Sequence, residues 1–211
     1  MKKLVLKTAI ITFVVTAVLA IAAFGVTSFL APSVMMRFTA SLGLESVSGD
    51  YAYQEYERSG DLSYLARSFL IAADRDSDKK ANERFTVLYG EEGSERREAF
   101  SAYCAEYTVD DSSLPESARG LEYRMYLCGR AAVVRYRLAD GAEAEGAVCD
   151  FAVSETDKAF SAGNPVVALA LSAASAEDGE FCALLLERID AAGFDHSGVY
   201  NDIVTILEDV K

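Results

Sequence analysis

The chain of 211 residues has no tryptophan, one histidine, three prolines and no acidic side chain before Glu45. The lone His196 and four cysteines without a CxxC pair exclude zinc sites of the usual spacing. His196 follows Asp195, but no Gly-x-Ser-x-Gly or cysteine-centred signature accompanies the pair. So few prolines leave long stretches free of the residue that breaks helices. Strand-like alternation is equally scarce. Apolar residues recur instead at helical spacing in almost every segment, and turn signals fall between them. The expected class is all-α.

What is present begins with Thr8–Leu30, TAIITFVVTAVLAIAAFGVTSFL, which carries no charge. At about 1.5 Å per residue it makes a helix of roughly 34 Å, enough for a hydrocarbon core of about 30 Å. Lys2, Lys3 and Lys7 precede it, and only Arg37 follows closely. By the positive-inside rule the N-terminus is cytoplasmic. An uncleaved anchor suits the length of the run. A secretory signal cleaved after Ala22 is the rival, and both export the same domain. The expected organisation is a basic cytoplasmic tail over 1–7, a transmembrane helix over 8–30, a juxtamembrane segment over 31–44 and an extracytoplasmic helical domain over 45–211. Val34 to Leu44 is apolar around Arg37, and either extends the anchor or forms a short helix of its own.

Charge separates the two ends of the chain. Residues 38–211 hold 16 basic against 33 acidic side chains, a net of −17. Such a field repels nucleic acid and anionic headgroups, so no nucleic-acid partner is expected. Cys104, Cys128, Cys149 and Cys182 each sit singly in an apolar helical stripe. Buried free thiols are the default expectation. Two disulfides in an exported domain are the alternative, with three pairings open.

Local signals place the helices. Asp50 is expected to cap Tyr51–Arg58, Gly60 to end that helix and Asp61 to cap the next. Ser77 or Asp76 opens Lys79–Tyr89, with Gly90 at its end. Ser94 opens a helix whose stripe is Phe100, Tyr103, Cys104 and Tyr107, and 108–113 reads as loop. Pro115 at the first position begins a long helix to Ala139, its buried face Leu127, Ala131, Val134 and Leu138. A helix over 142–153 follows, and then the irregular stretch 154–163. Asn164-Pro165 is a cap followed by a proline start. Phe181, Leu184, Leu185, Ile189 and Ala192 line the next helix, closed by Gly193. Val199, Ile203, Ile206, Leu207 and Val210 line the last.

The run Tyr56 to Asp74, YERSGDLSYLARSFLIAAD, resembles a tetratricopeptide-type repeat. Tyr56, the Gly60-Asp61 turn, Phe69 and Ala72 fall where that family places a tyrosine, its inter-helix turn, a bulky residue and a small alanine. Tyr53 and Leu65 depart from it, and no second copy follows at the family's spacing. The resemblance implies a closely packed helix hairpin, a degenerate helical-repeat array and a protein- or peptide-binding role.

Other signals carry less chemistry. Asp74-Arg75-Asp76-Ser77-Asp78 opens like a calcium loop, but Lys79 and Phe85 occupy the positions that need Gly and Glu. No residue is assigned a catalytic, metal-ligating or cofactor-binding role, and no cofactor is expected. Tyr123, Tyr126 and Arg130 share a helical face and form the candidate interaction patch. Arg119, Arg124, Arg130, Arg135 and Arg137 make that helix locally basic. They either neutralise neighbouring helices or meet an acidic partner. The expected function is a single-pass, membrane-anchored interaction module. A helical cell-envelope enzyme, or an accessory subunit docking through Thr8–Leu30, are the alternatives.

Overall fold

The computed structural model describes residues 2–75, 77–90, 95–100, 116–156, 164–196 and 198–211. Side chains of residues 2–6, 9 and 116–122 are outside the description. Among the described residues every regular element is a helix. The chain divides into two compact units, Met1–Ser68 and Phe69–Lys211.

The first unit starts with α1, Lys2–Leu30. Within it Ile10–Leu30 is long and apolar enough to cross a membrane, with none of that window buried. A span and a signal sequence share this form. Ala31 breaks the helix at φ −140°, ψ 66°, and Pro32 starts α2, Pro32–Ser41. The apolar segment after α1 is thus a separate helix, because proline at the first position removes a donor that the preceding turn would have used. Gly43, at φ 72°, ends α2: Leu44 N–H bonds Thr39 O at 2.9 Å and Gly43 N–H bonds Ala40 O at 3.0 Å.

The third helix, α3, spans Glu45–Ser59. The start expected at Asp50 is corrected: Gly49 and Asp50 lie inside this helix. Close packing overrides the local turn signal there. Ser48, Gly49 and Ala52 are buried, so α2 and α3 approach closely. Ser48 Oγ donates to Met36 O at 2.9 Å, and Ser68 Oγ donates to Gly49 O at 2.7 Å. Gly60 (φ 73°) ends α3 in the left-handed conformation, and Asp61 Oδ1 accepts from Ser63 N–H as α4, Leu62–Asp74, begins. Both signals act as expected.

The second unit continues through α5, Asp78–Tyr89. Residues 95–100 are helical, with Phe100 buried. The long helix is α6, Glu116–Leu138, followed by α7, Ala142–Glu155. Then come α8, Pro165–Ser175, α9, Gly179–Ala192, and α10, Gly198–Val210. Asn164 Oδ1 accepts from Val167 N–H at 3.2 Å, and Asp178 Oδ1 from Phe181 N–H at 3.1 Å, so α8 and α9 each begin on a side-chain cap. Gly193, at φ 65°, closes α9. Pro115, the helix stripe Tyr103, Cys104 and Tyr107, the loop 108–113, residues 157–163 of the expected irregular stretch, Asp76 and Ser94 fall outside the described residues; Ser154 and Glu155, expected in that stretch, instead extend α7.

One core runs through α6 to α10, with Leu169, Leu185, Ile189 and Leu207 fully covered. On α6, Leu127, Ala131 and Val134 are buried as expected, but Leu138 is exposed. It occupies the last turn, where Tyr136 and Ala139 are the residues that pack against the core. On α10 the buried residues are Tyr200, Ile203 and Leu207, and Val199, Ile206 and Val210 are only partly covered.

Candidate functional site

The long helix α6 carries every residue of the expected interaction patch. Its position is set by Gly129, where a Cβ would lie 3.1 Å from Ala168 Cβ and 3.7 Å from Pro165 Cα. This small pair lets α6 and the start of α8 cross at close range. α6 also packs on α5 and α7, so its polar side chains have neighbours on several sides.

Those neighbours take up its arginines. Arg124 Nη2 meets Glu155 Oε2 at 2.6 Å, Arg130 pairs with Asp74, and Arg137 Nη1 lies 3.6 Å from Asp78 Oδ1. The Arg135 guanidinium sits 5.5 Å from the Phe85 ring centre and 5.3 Å from that of Phe151. Burial lowers its pKa, and the two ring faces offset part of that cost. Each of these four arginines therefore engages α4, α5 or α7 of its own unit. The side chain of Arg119 lies outside the described residues.

Beneath this helix face is a polar chain that no sequence spacing indicates. The Tyr89 hydroxyl lies 3.6 Å from Cys128 Sγ, and Cys128 Sγ lies 3.8 Å from Glu155 Oε2, which Arg124 also holds. Burial raises the Tyr89 pKa, helped by its position beside Cys128. Burial, reinforced by the Glu155 carboxylate, pushes the Cys128 thiol up to about 12. Burial alone would lower Arg124, but Glu155, Cys128 and Tyr89 together offset it, and its pKa is raised. A thiol so placed is protonated at neutral pH, and the thiolate is the nucleophilic form. Cys128 therefore packs and bridges as a neutral thiol at neutral pH. Around it Phe85 stacks on Tyr89 at 4.6 Å, and Phe151 meets Phe85 edge-on at 5.2 Å.

A second polar link lies at the other end of α6. The Tyr136 hydroxyl donates to Asp178 Oδ2 at 3.0 Å, and its ring packs on Phe181 at 4.4 Å. Asp178 thus caps α9 with one oxygen and accepts from Tyr136 with the other. Burial and that hydrogen bond push the Tyr136 pKa up to about 12.

Tyr123 and Arg130 are half-buried, and Tyr126 is 45% exposed. Their spacing of three and four places them along one face, as expected. Arg130 is held by Asp74, so Tyr126 is the member of the set that faces solvent. The other expected features lie apart from it. Cys128, Cys149 and Cys182 are buried free thiols, and Cys104 lies outside the described residues. His196 is exposed and stacks on Tyr200 at 4.4 Å. Of the Asp74–Asp78 stretch, Asp74 and Asp78 face the arginines of α6. Among the described residues no group of three or more His, Cys, Asp or Glu side chains converges to hold a metal ion.

The fold and the site together define an all-α protein with one apolar N-terminal helix and an arginine-bearing central helix in its larger unit. No protein-family model, no curated protein and no solved structure matches the chain.

Proposed function

We propose that the chain is a single-pass membrane protein whose acidic helical portion binds another protein on the extracytoplasmic side. Lys2, Lys3 and Lys7 hold the N-terminus in the cytoplasm, and Thr8–Leu30 forms the span. The helix turn at Gly60, with Phe69 and Ala72 buried on the following helix, suits a degenerate helical-hairpin array of the tetratricopeptide type. Such arrays offer helix faces to peptides and proteins.

The observation that carries this proposal is Tyr126. It is the exposed tyrosine among the described residues, and Arg130 stands one helical turn away. Tyrosine and arginine are the side chains enriched where partners meet. The net charge of −17 over residues 38–211 gives a basic partner face a favourable approach.

The test is cross-linking in intact cells. A C-terminally tagged chain is treated with a membrane-impermeant reagent, purified and its adducts identified. One stoichiometric partner is expected, and Tyr126→Ala should reduce its yield about ten-fold or more, the loss of roughly 1.4–2 kcal/mol. An unchanged yield from Tyr126→Ala would remove Tyr126 from the interface. Absence of any partner, with the tag accessible from outside, would refute the interaction role. A tag shielded from the reagent would refute the topology.

A further inference from the structure

We propose that α2 lies in the membrane–water boundary of the extracytoplasmic leaflet, with Val34, Phe38 and Leu42 immersed among the lipid chains. This rests on the membrane-anchored reading above and extends it from the span to the segment that follows.

The observation is an apolar stripe that the protein leaves uncovered. Val34 is 55% exposed, Phe38 49% and Leu42 58%. They are spaced by four, so they line one side of α2 and its cap. Leu44 and Val47, at the start of α3, are also exposed. The opposite need is already met: Pro32, Met35, Met36 and Thr39 are buried. At 100° per residue the buried set and the stripe together occupy an arc of roughly 200°. A surface helix needs an apolar face a little over about 100° wide. α2 therefore has a second apolar face beyond what α3 covers.

Position identifies the occupant. Ile10–Leu30 has 21 residues, about 31 Å of helix, which matches a hydrocarbon core of about 30 Å. Its last residue is Leu30, and α2 begins at Pro32. A helix starting there starts at the membrane surface. The break at Ala31 ends the course of α1 just where the core ends. The stripe is thus continuous in sequence with surface already in contact with lipid.

Charge agrees with this placement. Residues 31–44 contain no acid, and Arg37 is their only charge. Arg37, Ser33 and Ser41 fall on the arc that the apolar residues leave, where an arginine reaches headgroup phosphates. The first acid, Glu45, opens α3. An apolar face with an arginine on its polar side is the pattern of a helix lying in the interface.

The absence of tryptophan supplies the test. Phe38→Trp places a single fluorophore in the stripe. Phe24→Trp places one in the span, and Leu171→Trp one on exposed α8 surface of the other unit. Each full-length variant is reconstituted into phosphatidylcholine vesicles, with and without lipids brominated at shallow or deep chain positions. Phe24→Trp should be quenched most by deep bromines. Phe38→Trp should emit to the blue and lose about half its intensity to shallow bromines. Leu171→Trp should be indifferent to both. Leu42→Trp repeats the stripe measurement should Phe38→Trp fold poorly. If Phe24→Trp is quenched and both stripe variants are not, the interfacial placement is overturned and the anchor stands. Blue emission without quenching assigns the stripe to a protein partner or a second copy and overturns it likewise. If Phe24→Trp also escapes quenching, the anchor itself is refuted.

Discussion

Removing the Glu55 carboxylate should loosen α2 while leaving the larger unit unchanged. Ala31, the residue before α2, offers no side-chain cap. Glu55 supplies one from α3: its Oε2 accepts from Ser33 N–H at 3.0 Å, and its other oxygen pairs with Arg58. Glu55 is buried, at 3% exposed. A side-chain cap contributes about 1 kcal/mol, and a hydrogen bond to a charged group about 1.5–3 kcal/mol. The Arg58 pair adds only about 0.3–0.5 kcal/mol, since Arg58 is 57% exposed. Glu55→Ala should therefore cost about 2 kcal/mol locally, and Glu55→Gln, which keeps an acceptor, about 1 kcal/mol. The assay is hydrogen exchange of the full chain in detergent, read on peptides covering residues 32–41. About 2 kcal/mol corresponds to roughly thirty-fold faster exchange. The pH dependence adds an internal control. Burial alone would raise the Glu55 pKa, but Arg58 and the Ser33 N–H hold it below 4.5. A carboxyl depressed in the folded state stabilises fully above its ordinary value, and this is lost as pH falls through the folded value. After correction for intrinsic exchange, protection of α2 should thus fall on acidification below about 4.5, and stay level in Glu55→Gln. Unchanged exchange in Glu55→Ala would refute the capping role.

Three further outcomes are expected. Gly129→Ala should be nearly neutral, because about 1 kcal/mol of helix propensity offsets the 3.1 Å approach to Ala168; Gly129→Val should cost about 1–3 kcal/mol by chemical denaturation, and a neutral result would mean a looser crossing. Cys128, Cys149 and Cys182 should resist alkylation at pH 8 until the chain is denatured, since all three are buried and burial raises each thiol, Cys128 and Cys149 to about 12; rapid native labelling would contradict that burial. Glu155→Ala should destabilise by about 1–2 kcal/mol, a figure reduced for the 30% exposure of the Arg124 side chain, and Arg124→Met added to it should recover part of the loss.

Where a signal acts within one turn of the chain, the sequence was a good guide. Asp61 capping, the left-handed Gly60 and Gly193, and the Asn164-Pro165 start are local hydrogen-bonding and backbone preferences, and the structure realises each of them. Asp50 misled because Gly49 has the look of a turn, whereas Ser48, Gly49 and Ala52 are small for the sake of contact with α2. Leu138 misled because periodicity does not say which face of the last turn is covered, and there Tyr136 and Ala139 pack against the core instead. The polar chain Tyr89–Cys128–Glu155–Arg124 was invisible for another reason: its members come from three helices and meet only on folding. Glu55 was invisible likewise, since a cap donated by another helix has no spacing rule. The stripe Val34, Phe38 and Leu42 did stand in the sequence at intervals of four. What the sequence lacked was the other face of α2, already satisfied by α3.

The same face of α3 that carries Glu55 also holds the end of α1. Ser48 grips Met36 O, Glu55 grips Ser33 N–H, and the Tyr51 hydroxyl donates to Ser28 Oγ at 2.9 Å. Ser28 belongs to α1, two residues before its end. The break at Ala31 is therefore bridged by α3 on both sides. A twist or tilt imposed on α1 has a direct route to α3 through the Tyr51–Ser28 hydrogen bond.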